Sequence, residues 1–322
     1  MSRLDEMRLM AKVARMYYDQ GIRQQEITER LNIHQSKISR MLKRAREAHI
    51  VRISIATPAG FFPQLEDALE TRFQLKDAVV VDSEGDEERL VRDLGAAAAF
   101  YLETTLRPEM VIGISSWSRS LFAMVEMLHP NTSAAGGKVV QILGGVGSAS
   151  THYQAMLLAQ RLAGLVGASP VLLQAPGVVG SPEAKDVLAR DPAVKEAARL
   201  FGKLDLALVG IGSLEPSPLL ASSGNIFSET EQRQLRRAGA VGDICFQFID
   251  EKGKLVKSPL MDRVIGMDLP TLKSSPRVVG IAGGQSKIPA ILASLQGRWI
   301  NVLITDRQTA ERLVHASGQK VE

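Results

Sequence analysis

The sequence predicts two folds in series: an all-α helix-turn-helix head, then a larger α/β domain built on a Rossmann-like parallel sheet. Three observations carry this. Gln24–Arg46, QQEITERLNIHQSKISRMLKRAR, reads as a short helix, a tight turn and a second helix with cations and amides outside. From about residue 78 onward, continuous apolar runs alternate with helical patterns, the signature of a parallel sheet covered on both faces. Charge is divided unevenly: residues 1–60 hold 12 Lys+Arg against 6 Asp+Glu, or +6, which leaves −2 for the rest of a chain whose total is +4. The expected division is 1–56 for the head, 57–63 for a linker and 64–322 for the second domain. A length of 322 residues suits two domains, and with 45% apolar but only 5% aromatic residues the core must be aliphatic.

In the head, Leu4, Met7, Ala11, Ala14 and Tyr18 stripe a first helix that Gly21 ends. Ile27 and Leu31 face inward on the second helix, and Ile33 fills the turn. Asn32 stands where the turn needs a left-handed residue, and Asn is the best choice after glycine. Ile38, Met41 and Leu42 give the inward stripe of the third helix. Subtracting them leaves Gln35, Ser36, Lys37, Ser39, Arg40, Lys43 and Arg44 outside, with Gln24 and Gln25 opening the second helix. These side chains suit a helix lying in the DNA major groove. Gln and Arg pair with base edges, and Ser and Lys sit on phosphate oxygens.

Val51–Ala56 alternates like a strand leaving the head, and Thr57–Pro63 (TPAGFFP) resists regular structure. Residues 64–73 then read as helix. Strand-like runs follow at 78–81, 110–114, 138–143, 171–174, 206–211, 244–249, 277–281 and 300–304. Helices are expected at 87–106, 119–128, 153–166, 229–237 and 287–295.

Sheets of this kind bind ligands beyond the strand C-termini, and the polar residues gather there. The run to Ile114 continues into Ser115, Ser116, Trp117, Ser118 and Arg119. The run to Leu143 continues into Gly144, Gly145, Val146, Gly147 and Ser148. Ile211 leads into Gly212 and Ser213, and Ile281 leads into Gly283, Gly284, Gln285, Ser286 and Lys287. Small residues expose backbone N–H groups, and hydroxyls with a Lys complete a set suited to phosphate. Asp243 precedes an apolar run, as either a sugar-hydroxyl acceptor or a cap.

Several classes are excluded. The single Cys245 rules out a disulfide framework or a cysteine-rich zinc site. Histidines 34, 49, 129, 152 and 315 lack metal-ligand spacing, so neither a metal nor a cofactor is expected. The first ten residues hold no apolar h-region, and no run of about 18 apolar residues occurs; the expected location is the cytoplasm, away from membranes.

Taken together, the residues resemble the SorC family of bacterial sugar-responsive transcriptional regulators. In the head the resemblance lies in QQEITERL and KISRMLKRAREAHIVRISI. In the second domain it lies in GISSWS, VVQILGGVG, DLALVGIGS, SPLLASSGNIF, GAVGDIC, DRVIGMDL and AGGQSKIPAILASLQG. It implies an effector domain similar to ribose-5-phosphate isomerase and glucosamine-6-phosphate deaminase. Effector contacts are implied at Ser115, Ser116, Arg119, Gly147, Ser148, Gly212 and Ser213, with Asp243 and Lys287 as the charged partners for hydroxyls and phosphate. Departures are Ser118 and Ser120 where many relatives have Gly and Thr, which narrows that loop. In the head, Thr28 and Asn32 replace Ala and Gly, and His34 replaces a capping Ser.

The expected function is a DNA-binding regulator of a carbohydrate or polyol catabolic operon. It would act as a homodimer or homotetramer on double-stranded operator DNA, under control of a phosphorylated sugar or polyol. Two alternatives stay open at this point. Lys287 and Asp243 are the right types for a sugar-phosphate isomerase with an added head. Gly145–Ser150 brushes a dinucleotide fingerprint, which would make the chain a redox-sensing repressor that binds a nicotinamide cofactor, although its third glycine is missing.

Overall fold

The computed structural model describes residues 3–48, 50–51, 60–145, 149–215 and 227–316. The chain forms two compact units, Met1–Pro58 and Ala59–Glu322. Residues 52–56 of the strand expected at Val51–Ala56, the start of the linker, and Val146, Gly147 and Ser148 of the glycine turn lie outside the described residues.

The first unit packs α1 (Arg3–Tyr18), α2 (Gln24–Leu31) and α3 (Gln35–Glu47) around Met10, Val13, Ala14, Met16, Ile27, Ile38, Met41, Leu42 and Ala45. Each fully buried aliphatic side chain here contributes roughly 1.5–3 kcal/mol. The inward stripe of α1 differs from the expectation. Met7 is 48% exposed and Ala11 also faces solvent, while Met10, Val13 and Ala14 are buried. The helix carries two apolar stripes offset by one residue, and the β-branched Val13 goes inside. Gly21 ends α1 at φ +64, and Asn32 takes φ 50, its N–H bonded to the Thr28 carbonyl.

The second unit opens on α4 (Pro63–Phe73), with Pro63 at its first turn rather than in the linker. Then follow β1 (Asp77–Val81), α5 (Glu87–Thr105), β2 (Val111–Ile114), α6 (Arg119–Met127), β3 (Lys138–Gln141), α7 (Ala149–Val166) and β4 (Ser169–Val171). The chain continues with α8 (Pro182–Ala189), α9 (Pro192–Phe201), β5 (Leu206–Gly210), β6 (Gly212–Ser213), α10 (Glu229–Arg237), β7 (Ala240–Ile244) and β8 (Gln247–Asp250). It closes with α11 (Leu269–Lys273), β9 (Arg277–Ile281), α12 (Ile288–Gln296), β10 (Val302–Asp306) and α13 (Arg307–Ala316).

Seven strands form one sheet in the order β1-β10-β9-β5-β2-β3-β4, all neighbours parallel. Its five inner strands, β10, β9, β5, β2 and β3, are largely buried on both faces, as continuous apolar runs require, whereas the edge strands β1 and β4 are only partly covered. The edge at β1 is covered by α4: Glu66 and Glu70 accept hydrogen bonds from the Val80 and Ala78 N–H groups. Chain order reverses between β2 and β5, so the crevice beyond their ends is the topological switch point.

One element departs from the expected topology. The run 244–249 is not a parallel strand. It turns at Cys245 and Phe246, whose φ values are 53 and 59, into a hairpin between β7 and β8, and β6 completes a separate antiparallel sheet. Two consecutive positive φ values are the geometry of a two-residue hairpin turn.

Candidate functional site

On the head, Gln35, Ser36, Lys37, Ser39, Arg40, Lys43 and Arg44 all face solvent, opposite the buried Ile38, Met41 and Leu42. His34 caps α3 itself: its Nδ1 accepts from the Ser36 N–H at 3.3 Å, so the bond a Ser cap would give is not lost. Arg40 Nε donates to the Ser36 carbonyl at 3.2 Å, which lays the guanidinium back along the start of the helix. Two cations are partly engaged. Arg44 pairs with Glu6 of α1, and Lys43 lies 3.9 Å from Glu47. Lys37 and Arg40 form no ion pair among the described residues, which makes them the more available charges. At the start of α2, Gln25 is exposed, and no side chain caps the helix at Arg23.

In the second unit a cleft of about 270 Å³ opens beyond the C-terminal ends of β2, β5 and β9. Ser115, Trp117, Ser118 and Arg119 come from the turn into α6. Gly212 and Ser213 follow β5, Asp243, Cys245 and Phe246 come from the hairpin, and Ser286 and Lys287 follow β9. Glu87, Val91 and Glu215 complete the wall. Six expected effector residues thus share one cavity: Ser115, Arg119, Gly212, Ser213, Asp243 and Lys287.

Ser116 does not join them. It is 1% exposed, and its hydroxyl donates to the Leu143 carbonyl at 3.0 Å and accepts from Gln141 Nε2 at 3.2 Å. Alternation along the extended turn sends Ser115 to the cleft and Ser116 into the body of the domain. Gly144 is also a packing residue, since a Cβ there would lie 2.6 Å from the Ala175 carbonyl oxygen. Gly147 and Ser148 lie outside the described residues, as do Ser222, Ser223 and Gly224 of the SPLLASSGNIF string.

Asp243 is the most perturbed acid of the cleft. Burial pushes its carboxyl up to about 6, against the Phe246 N–H, which it accepts at 2.9 Å, and against the Lys287 charge. The space for this carboxylate exists because residue 212 is glycine: a Cβ would lie 2.2 Å from Asp243 Oδ1. Burial pulls the Lys287 ammonium down, Asp243 and Glu87 oppose that, and Arg119 adds to it. No ion pair joins Lys287 to a neighbour among the described residues, so its donors are available to a ligand. Arg119 is bridged to Glu87 at 2.9 Å. The Cys245 thiol is buried, its pKa raised by that burial and by Asp243, and it is hydrogen-bonded to Ser115; it remains a protonated packing group.

The arrangement offers two cations, several hydroxyls and three carboxylates (Asp243, Glu87 and Glu215) in one cavity, with Trp117 and Phe246 as apolar walls. Such a set can hydrogen-bond a hydroxyl-rich small molecule. Glu87 and Glu215 escaped the sequence reading although each follows a strand end within a few residues, because only the fold shows that the end of β1 and the segment after β6 reach the same cavity. Among the described residues there is no cluster of three or more metal-ligating side chains, and no helix is long and apolar enough to cross a membrane.

Residues 57–315 match the family described as "Putative sugar-binding domain". The sorbitol operon regulator of Klebsiella pneumoniae is 33% identical over 319 residues, covering 98% of this chain and 100% of its own length. The deoxyribonucleoside regulator of Bacillus subtilis is 31% identical over 312 residues, covering 97% and 98%. The crystal structure of the full-length sorbitol operon regulator SorC from Klebsiella pneumoniae superposes with a TM-score of 0.72 at 32% identity, covering 96% of this chain and 99% of that one. These relatives are regulators rather than enzymes, so the isomerase alternative falls. The similarity runs through head and cleft alike, and the chain belongs to the SorC family of sugar-responsive transcriptional regulators.

Proposed function

We propose that the cleft binds a phosphorylated sugar or polyol, and that this effector controls how the head engages operator DNA. The carrying observation is the cavity in which Arg119 and Lys287 face Asp243 across hydroxyl-bearing turns. The cations take the phosphate, and Asp243 accepts from sugar hydroxyls, while Ser115, Gly212 and Ser213 line the path between. On the head, Gln35 and Arg40 read bases, and Gln24, Gln25, Ser36, Lys37, Ser39, Lys43 and Arg44 hold phosphates. One head makes few contacts, so a symmetric homodimer or homotetramer on a palindromic operator supplies specificity. The effector shifts DNA affinity by its differential affinity for two arrangements of the assembly, and by no more than that.

The test compares operator affinity with and without a panel of pentose, hexose and polyol phosphates, each beside its unphosphorylated parent. A phosphorylated member should change operator affinity at concentrations where its parent does nothing. Equal effects of parent and phosphate would remove the phosphate reading.

A further inference from the structure

The anion side of the cleft already holds an anion. Glu87 is the first residue of α5, yet it does not serve that helix as its cap: Asp86 does so, its Oδ1 accepting from the Arg89 N–H at 2.8 Å. Instead Glu87 reaches across to the first residue of α6 and accepts from Arg119 Nη1 at 2.9 Å. Both residues line the cavity, and Lys287 lies within the field of both. A carboxylate on a guanidinium fork makes the same kind of contact that a phosphate would make there.

We propose that Glu87 is a resident competitor for the effector's anionic group, held on Arg119 until a phosphate displaces it. The inference rests on the phosphate-binding reading of the cleft. The exposure of the pair fits displacement rather than permanent structure. The Glu87 side chain is 67% exposed, so it can swing to solvent without opening the core. Exposed pairs of this kind shift equilibria by less than about fivefold, so a doubly charged ligand overcomes the pair. Left in place, the carboxylate would repel the incoming phosphate, and Glu87 therefore raises the concentration at which the regulator responds. A neutral sugar has no need of Arg119 and would leave the pair intact.

The experiment titrates the full-length protein with inorganic phosphate, followed by phosphorus NMR at low ionic strength. Wild type, Glu87→Gln, Arg119→Gln and the double variant are compared. Glu87→Gln should tighten phosphate binding by roughly three- to fivefold, and that gain should fall below about twofold in the Arg119→Gln background. Unchanged or weaker binding by Glu87→Gln overturns the inference, as does an equal gain without Arg119. If phosphate binds wild type and Glu87→Gln equally, the competitor role alone fails. If it binds neither, the phosphate reading fails with it. Should Glu87→Gln not fold, Glu87→Asp is read instead: the shorter side chain falls short of Arg119, and a smaller tightening is expected.

Discussion

Replacing Asp243 by Asn should make the stability of the effector domain less sensitive to pH. In the fold, burial raises the Asp243 carboxyl from 3.8 to about 6. A carboxyl raised in this way favours folding when protonated. Its contribution is complete below the unfolded value and is lost as pH climbs through the folded one. About two pH units at about 1.36 kcal/mol each give a loss of about 3 kcal/mol, of which about 2 kcal/mol falls between pH 4.5 and 7.5. Asn cannot ionise but keeps an oxygen for the Phe246 N–H, so the hairpin survives. Urea unfolding at several pH values is the assay, followed by tryptophan fluorescence. The chain's two tryptophans, Trp117 and Trp299, both lie in the Ala59–Glu322 unit, so the signal reports that unit alone. Stability of the variant minus that of wild type should rise by about 2 kcal/mol from pH 4.5 to 7.5. Other carboxylates titrate equally in both proteins and cancel. A difference that stays flat, or falls with pH, refutes the reasoning.

Three further changes probe separate links. Gly212→Ala puts a Cβ 2.2 Å from Asp243 Oδ1; unfolding should show a loss of about 1–3 kcal/mol, and calorimetry should show weakened effector binding. Asn32→Ala puts a residue that resists the left-handed region at φ 50 and should cost the head about 1–2 kcal/mol by thermal melting, whereas Asn32→Gly should be close to neutral. Reversing both Lys37 and Arg40 to Glu should abolish operator binding in a mobility-shift assay, the Arg40 base contact alone being worth about 1–3 kcal/mol and Lys37 adding a salt-dependent phosphate contact, with effector binding unchanged.

The head was legible because its rules are local. Asn32, Gly21 and the Ile38–Met41–Leu42 stripe are spacing and conformation, and those are written in the sequence. The parallel sheet was legible for a related reason: strands buried on both faces must be apolar throughout. Less legible was anything decided by which of two compatible faces packs. The α1 helix offers Met7 and Ala11 on one stripe and Met10 and Val13 on the next, and only contact with α2 and α3 selects the second. Ser115 and Ser116 are chemically alike, yet the alternation of the turn gives one to the cleft and the other to Gln141 and the Leu143 carbonyl. Glu87 carried no local signal at all.

The hairpin at Cys245 and Phe246 explains why Asp243 stayed ambiguous and why it is placed as it is. Turns with two positive φ values are announced by Asn-Gly or Gly-Gly, and Cys-Phe announces nothing. Each L residue held there costs about 1–2 kcal/mol. That cost is offset by burying both side chains and by the Phe246 N–H bond to Asp243. The same bond holds the carboxylate at the cleft, opposite Lys287. A chain forced through an unfavourable turn at a binding cavity is what a positioned acid requires: a relaxed Asn-Gly turn would lose the buried phenyl and thiol side chains, and with them part of the burial that raises the carboxyl's pKa. The strained turn and the perturbed carboxyl are therefore one feature, and Phe246→Gly should relax both, lowering the pKa of Asp243 as water reaches it.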